Sequence, residues 1–201
     1  MKKSAFTMLE LVFVIVVIGI IAAMVIPRMD RDSLYEATNQ TLNHIKYTQH
    51  LAMTQDMYSD TDPNWFLQRW QMQFYACGGY VVYSDTNQGG GPDIIEAAVD
   101  PQTRKPLFTT NVCAENPAYY DRISLMNSYG ITGITTSTPC GGQDIAFDTL
   151  GRPYSNTNAV NGVLKQNCDI TITSSTGSEI IRIHPETGYA CILNAAGTAC
   201  I

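Results

Sequence analysis

Residues 6–26 form an almost unbroken apolar run, FTMLELVFVIVVIGIIAAMVI, and this run constrains the fold more than any other feature. A helix over these residues would be roughly 30 Å long at about 1.5 Å per residue, which matches the hydrocarbon thickness of a bilayer. Cores of globular domains rarely surround so long an apolar cylinder, so a buried core helix is the less favoured alternative. The sequence therefore predicts a transmembrane helix over residues 6–26.

The flanks of the apolar run distinguish a retained anchor from a secretory signal peptide. Lys2 and Lys3 precede the run, as the positive region of a signal peptide would. The run is longer than the apolar part of a usual signal peptide, and Pro27 and Arg28 follow it where small residues would mark a cleavage site. A retained anchor is therefore favoured over a cleaved signal peptide.

The amino terminus also carries a family motif. The sequence KKSAFTMLEL at residues 2–11, the apolar run after it and Pro27 resemble the amino terminus of type IV prepilins and of the pseudopilins of type II secretion. In that family a prepilin peptidase cuts before the phenylalanine and methylates the new amino terminus. The resemblance implies a leader peptide over residues 1–5, with cleavage between Ala5 and Phe6 and methylation of Phe6. The family usually has glycine before the cut, where this chain has Ala5.

Glu10 is the charged residue inside the apolar run. A carboxylate in an apolar zone costs about 2.5 kcal/mol or more on insertion scales, which predicts a partner for it. Cleavage would leave a free amine on Phe6, one helical turn away, and a helix cannot easily fold its own end back. The amine of a neighbouring subunit is then the natural partner, so we expect Glu10 to set the register of assembly. A glutamate that only reaches to the membrane interface is the alternative.

Helical periodicity continues beyond Pro27. Small or weakly apolar side chains recur at alternating steps of four and three residues: Leu34, Thr38, Thr41, Ile45, Thr48 and Ala52. We expect one helix over residues 6–57, with its second half packed on a globular domain. His44 and His50 lie on this helix six residues apart, not at the four-residue spacing that places two imidazoles on one metal ion.

The composition changes near Asp60 to glycine, asparagine, threonine, serine and tyrosine with short apolar runs, which is typical of β structure. Residues 70–76 alternate as a half-buried strand, and the CGG turn at 77–79 leads into a strand over 80–83. Further strands are expected in an antiparallel meander, at 145–148, 168–173, 179–183 and 189–193. The predicted fold class is α+β: a long N-terminal α-helix, half transmembrane, packed on a C-terminal antiparallel β-sheet domain over 58–201, as in pilins.

The last third of the chain carries a second, looser resemblance. The order of FD at 147–148, LGRP at 150–153, an isoleucine-rich hairpin and TG at 187–188 resembles the minor pseudopilin H family of type II secretion and related minor pilins. Residues 87–142 have no counterpart in that resemblance, and the sequence assigns them no regular structure.

The two resemblances together imply a structural, non-enzymatic protein. The implied function is a minor pseudopilin of a type II secretion system, assembling through its N-terminal helix into a periplasmic pseudopilus. A minor pilin of a type IV pilus, used in adhesion, motility or DNA uptake, is the alternative. The implied location is the bacterial inner membrane, as a single-pass protein with its C-terminal domain in the periplasm. The implied partners are other pseudopilins or pilins, the prepilin peptidase and inner-membrane lipid.

Six cysteines lie beyond the apolar run: Cys77, Cys113, Cys140, Cys168, Cys191 and Cys200. Their even number, on the side that would be exported to an oxidising space, predicts disulfides. No pair has the C-x-x-C spacing of a zinc ribbon or redox site, which disfavours a metal or redox centre. Many pairings are open, and only Cys191 with Cys200, which would close a short terminal loop, is favoured.

Charge and motif content exclude two classes of function. The chain has 12 Lys and Arg against 18 Asp and Glu, a net charge of −6, so no basic nucleic-acid-binding surface is expected. The sequence also lacks G-x-S-x-G, H-E-x-x-H and P-loop spacings, so we expect no enzyme activity and no resident cofactor beyond the calcium considered next.

Residues 85–96 match part of a calcium-binding loop. The oxygen-bearing side chains stand at loop positions 1, 3, 9 and 12: Asp85, Asn87, Asp93 and Glu96. Gly90 stands at position 6, where such loops turn sharply, but Gly89 stands where a further ligand is wanted. The flanks also look like strand and loop instead of two helices. A plain flexible loop is the favoured interpretation, with calcium binding as the alternative.

Overall fold

The chain folds into one long helix followed by a β domain. The computed structural model describes residues 7–109, 123–155 and 159–201, and within the first helix the side chains of 24–32 lie outside what it describes. This helix, α1, comprises Met8–Thr54 and has 47 residues. The coarse α+β class predicted from the sequence agrees with this architecture, but two finer parts of the prediction are wrong.

The first correction concerns the transmembrane half of the helix. Among the described residues, none of the helices is both long enough and apolar enough to cross a membrane. The apolar part of α1 with described side chains, 8–23, has 16 residues. The predicted single-pass location in the inner membrane is corrected by the same finding.

The second half of α1 packs on the β domain through the predicted stripe. All six members of the stripe are buried: Leu34, Thr38, Thr41, Ile45, Thr48 and Ala52. Each of its three threonine hydroxyls donates a hydrogen bond of 2.7–2.8 Å to the backbone carbonyl four residues earlier. The hydroxyls are therefore satisfied within the helix, which explains how a weakly apolar stripe can face a hydrophobic core.

The described part of the β domain contains eight strands, one short α-helix and two 3-10 helices, Trp65–Gln68 and Thr138–Cys140. The strands are β1 (Trp70–Tyr75), β2 (Gly79–Ser84), β3 (Ile131–Thr136), β4 (Asp144–Phe147), β5 (Pro153–Tyr154), β6 (Cys168–Ser174), β7 (Gly177–Ile183) and β8 (Ala190–Ile192), and the helix is α2 (Leu125–Tyr129). They form two antiparallel sheets, in the orders β2-β1-β4-β5 and β3-β6-β7-β8. The predicted meander is the second correction, because the strand expected at 145–148 is β4, which pairs with β1 in the first sheet, while β6 pairs with β3 and β7 in the second.

The first sheet contains the predicted hairpin, β1–β2, in which Phe74 pairs with Tyr80. The expectation that β1 is only half-buried is wrong, because both of its faces are covered. One face joins the main core beneath α1. On the other face, Phe108 packs against Tyr75, Val81 and Tyr83. Phe108, which lies in the stretch without a predicted element, therefore covers this face of the sheet.

The second sheet contains the predicted isoleucine-rich hairpin, β6–β7, with Ile170 opposite Ile181. Its partner β3 and the preceding helix α2 both fall within 87–142, to which the sequence assigned no element. The second half of α1 contacts β6, β7 and β8 as well as β1 of the first sheet. One hydrophobic core thus joins the helix to both sheets.

Candidate functional site

The apolar segment of α1, residues 8–23, is exposed along its whole described length. Consecutive residues of a helix point in different directions, so the unbroken exposure of residues 11–18 leaves every side of the helix uncovered. Soluble monomers rarely expose a continuous apolar surface of this kind, and such surfaces mark sites of interaction. This segment is the feature of the structure that most clearly requires a partner.

Glu10 lies in the first turn of this segment, and Thr7 caps the helix. The side-chain oxygen of Thr7 accepts the backbone N–H of Glu10 at 3.3 Å. The spacing T-x-x-E is that of a capping box, in which the glutamate occupies the third position of the helix. A carboxylate there is also favoured by the helix dipole. Glu10 thus has a local role that the sequence interpretation missed, although the Thr7-to-Glu10 spacing is visible in the sequence.

Two predicted sites fall outside the described residues. The processing junction at Ala5 and Phe6, with the leader over 1–5, is one of them, so cleavage and methylation stay predictions. Cys113 is the other. Cys77 is disulfide-bonded.

The predicted presence of disulfides is confirmed. Cys140 is bonded to Cys168, which ties the turn after β3 to the start of β6. Cys191 is bonded to Cys200, the pair that the sequence favours, which closes the carboxyl-terminal loop onto β8. None of the cysteines in the described part of the chain is free. These bonds fix loops at the ends of the second sheet.

His184 lies beside the terminal disulfide, with its Nε2 atom 3.8 Å from Sγ of Cys200. Together with Cys191, these residues place three potential ligand atoms within 4.8 Å of one another. Zinc binds cysteine as the thiolate, however, and both sulfurs are joined in the disulfide. In this state the cluster is a structural one and not a metal centre.

The loop over residues 85–96 follows β2, and its first and last acidic residues are buried. Asp85 and Glu96 are 4% and 7% exposed, respectively. The two oxygens of Asp85 accept the backbone N–H groups of Gly89 at 2.9 Å and Gly90 at 3.0 Å. The loop therefore wraps around Asp85, as the turn glycine at position 6 predicts.

The other predicted ligands lie in the same loop. Oε1 of Glu96 accepts the backbone N–H of Asn87 at 2.8 Å and the hydroxyl of Thr86 at 2.9 Å. The side-chain amide of Asn87 donates to Asp93 at 2.9 Å. Asp85, Asp93 and Glu96 do not form a group of converging metal-ligand atoms among the described residues. The four residues thus lie in one loop, but their side chains do not converge on a single metal-binding position.

A polar cavity of about 310 Å³ lies between α1 and residues 100–102. At its wall, Nδ1 of His44 lies 2.6 Å from the hydroxyl of Tyr80, which also accepts a hydrogen bond from Gln40. Burial lowers the pKa of His44 more than the nearby charge of Asp100 raises it. Burial also raises the pKa of Tyr80 far above its ordinary value. Both groups are therefore uncharged at neutral pH, and the hydrogen bond between them links α1 to β2.

Arg69 forms a second buried polar feature, at the start of the first sheet. Its guanidinium is stacked on the ring of Tyr154 at 4.0 Å and on that of Trp65 at 4.9 Å. It donates to the backbone carbonyls of Ala159 and Val160, at 3.1 Å each. These contacts hold the loop before β6 against β1. No local pattern in the sequence indicates them.

The comparisons with known proteins add no relative. The chain matches no family model, no curated protein and no solved structure. The functional argument therefore rests on the residues themselves and on the geometry above.

Proposed function

We propose that the chain is a structural subunit of a helical filament, namely a minor pseudopilin of a type II secretion system. The observation that carries this proposal is the contrast between the two halves of α1: residues 33–54 pack on the β domain, whereas the apolar segment, 8–23, is exposed on every side. A helix that is apolar all round needs cover all round. Similar helices packed side by side in a filament provide such cover, whereas one flat partner does not.

Burial of the apolar segment would supply the free energy of assembly. Removing one leucine, isoleucine, valine or phenylalanine side chain from water contributes about 1.5–3 kcal/mol. Several such side chains per subunit are enough to offset the loss of freedom on association. In this arrangement the helices form the axis of the filament and the acidic β domains lie outside it.

Glu10 would give this otherwise non-directional packing its register. Among apolar helices an unpaired carboxylate is costly, so subunits are favoured at the axial offset that pairs it with a positive group. The free amine of a processed Phe6 on the neighbouring subunit would provide that group. The place of Glu10 in the first helical turn, three residues after the N-cap Thr7, provides a competing, purely local role for the same carboxylate.

Substitutions at these two positions separate the two roles. Glu10→Gln removes the charge but keeps the capping box, because glutamine serves at that position as glutamate does. Thr7→Ala removes the cap, at a cost of about 1 kcal/mol to the helix start, and keeps the charge. Incorporation into filaments, measured by cross-linking to other filament subunits in the native cells, should fail for Glu10→Gln and for Glu10→Leu and should survive in Thr7→Ala. Normal incorporation of both Glu10 variants would refute the register role.

Processing tests the family assignment independently of Glu10. The mature chain, purified from its native cells, should begin at Phe6 and carry a methyl group on the new amine. Intact-mass measurement with terminal sequencing decides this. A mature terminus beyond Pro27, as signal peptidase would leave, would contradict the assignment.

Charge favours a secretion filament over one that takes up DNA. The chain has a net charge of −6, and DNA binding relies on a basic surface that neutralises phosphates. Deleting the gene should therefore reduce export of secreted enzymes and leave DNA uptake and surface motility unchanged. The reverse pattern would assign the protein to a type IV pilus.

A further inference from the structure

We propose that the loop over residues 85–96 binds one calcium ion. The proposal does not depend on filament formation, because every residue of the loop belongs to the β domain. Oxygen-rich loops of this length bind calcium through side chains at positions 1, 3, 9 and 12 and a backbone carbonyl at position 7. Asp85, Asn87, Asp93 and Glu96 hold the four side-chain positions, and Gly91 supplies the carbonyl at position 7.

The buried carboxylate of Glu96 distinguishes this loop from a simple cluster of acidic residues. Its carboxylate is directed into the loop, since Oε1 accepts two hydrogen bonds from residues 86 and 87. Its other oxygen, Oε2, is buried and has no hydrogen-bond donor among the residues that the structure describes. No lysine or arginine in the described chain forms a salt bridge with it. A buried carboxylate oxygen without a donor is costly, and a bound cation removes that cost.

Asp85 adds a second buried carboxylate to the same loop. Each of its oxygens accepts one backbone N–H, which leaves further lone pairs available for a metal ion. Asp85 and Glu96 are both buried, so the loop holds two carboxyl groups in a region with little solvent.

The rest of the loop offers the turn and the other side chains that a calcium site uses. Gly90 has a φ of +84°, which supplies the sharp turn at position 6 of a calcium loop. Asn87 already donates to Asp93, so these two side chains converge above the turn. Asp93 is exposed, and calcium binding would bring its carboxylate inward, because the three carboxylates do not converge as metal ligands in this structure.

The ligand set favours calcium over magnesium and a modest affinity. Calcium accepts six to eight oxygens in irregular geometry, whereas magnesium requires near-ideal octahedral geometry and retains its waters. Gly89 gives no side-chain ligand at position 5, so a water molecule has to fill that place. We expect a dissociation constant of about 10⁻⁴–10⁻³ M, the range of extracellular calcium modules.

Calorimetric titration of the full chain, kept in solution by a non-ionic detergent, tests the proposal with calcium chloride and, separately, magnesium chloride. One calcium per chain should bind in the stated range, and magnesium should bind at least tenfold more weakly. Glu96→Gln and Asp93→Asn should each weaken calcium binding at least tenfold. Glu36→Gln makes the same chemical change at an exposed glutamate on α1 and should bind calcium as the wild type does.

Three results would overturn the proposal: no binding of calcium at about 10 mM, unchanged affinity in the loop variants, or magnesium binding as tight as that of calcium. Asp93 is exposed, so Asp93→Asn is expected to fold even where loss of the buried Glu96 charge disturbs the loop. The thermal unfolding midpoint gives a second readout, because a ligand that binds only the folded chain raises it. Calcium should raise the midpoint of the wild type and of Glu36→Gln more than that of Asp93→Asn.

Discussion

Replacing Ile45 with alanine should lower the free energy of unfolding by about 3 kcal/mol, whereas the same replacement of Ile15 should change it very little. Both residues lie on α1, but the side chain of Ile45 is 1% exposed within the core and that of Ile15 is 61% exposed. Truncating a buried isoleucine removes apolar contacts and leaves a cavity, which costs about 2–5 kcal/mol. An exposed isoleucine has neither contacts nor a cavity to lose, and alanine forms helix slightly better.

Urea unfolding, followed by the fluorescence of Trp65 and Trp70, measures this difference. With a slope of about 2 kcal/mol per M, a loss of 3 kcal/mol lowers the midpoint by about 1.5 M. The Ile15→Ala midpoint should stay within a few tenths of that of the wild type. An equal loss in both variants would show that the apolar segment is covered in the free chain, and an unchanged Ile45→Ala would refute the packing of α1 on the sheets.

Three further predictions concern the β domain and its contact with α1. Replacing both Cys140 and Cys168 with alanine should lower the free energy of unfolding by about 3.5 kcal/mol, the chain-entropy value for a bond across 28 residues; an unchanged urea midpoint would contradict this. Stability should fall as the pH drops below 6.5, because the pKa of His44 is lowered in the folded chain and the unfolded chain therefore binds the proton first. His44→Gln should flatten this part of the pH profile, and a profile like that of the wild type would rule out His44 as its cause. Gly188→Ala should destabilise the chain more than Gly197→Ala. The two glycines have similar positive φ, +66° at Gly188 and +69° at Gly197, so the backbone strain of an alanine is similar at both. A Cβ at Gly188 would overlap neighbouring atoms, whereas nothing lies within 4 Å of a Cβ at Gly197. Equal losses would mean that the crowding at Gly188 is without effect.

Periodicity and turn signals in the sequence predicted the second half of α1 and two of the hairpins. The stripe from Leu34 to Ala52 has the helical period, and all its members face the core. The hairpins β1–β2 and β6–β7 are likewise bounded by short glycine-containing turns. The division into two sheets could not be predicted this way, because it depends on distant pairs such as Gln73 with Asp144. No local pattern records which strand a later strand returns to.

The candidate sites show the same limit. The spacing from Asp85 to Glu96 suggested a metal loop, but the spacing alone could not show that Oε2 of Glu96 is buried without a donor. The ring stacking and hydrogen bonds of Arg69 depend on residues up to 91 positions away. Hydropathy identified the apolar segment but also predicted a transmembrane helix, and no described helix is suited to crossing a membrane.

Photo-cross-linking in the native cells tests the central claim, that the apolar segment of α1 is covered by other filament subunits. A photoreactive amino acid would replace Ile15 in one variant and Leu150, an exposed residue of the β domain, in a matched control. The Ile15 variant should yield a product with the mass of two filament subunits, identified by peptide mass spectrometry as helix joined to helix, and the Leu150 variant should not give helix-to-helix products. Absence of any product between filament subunits at Ile15, in a protein that is expressed and folded, would contradict the account.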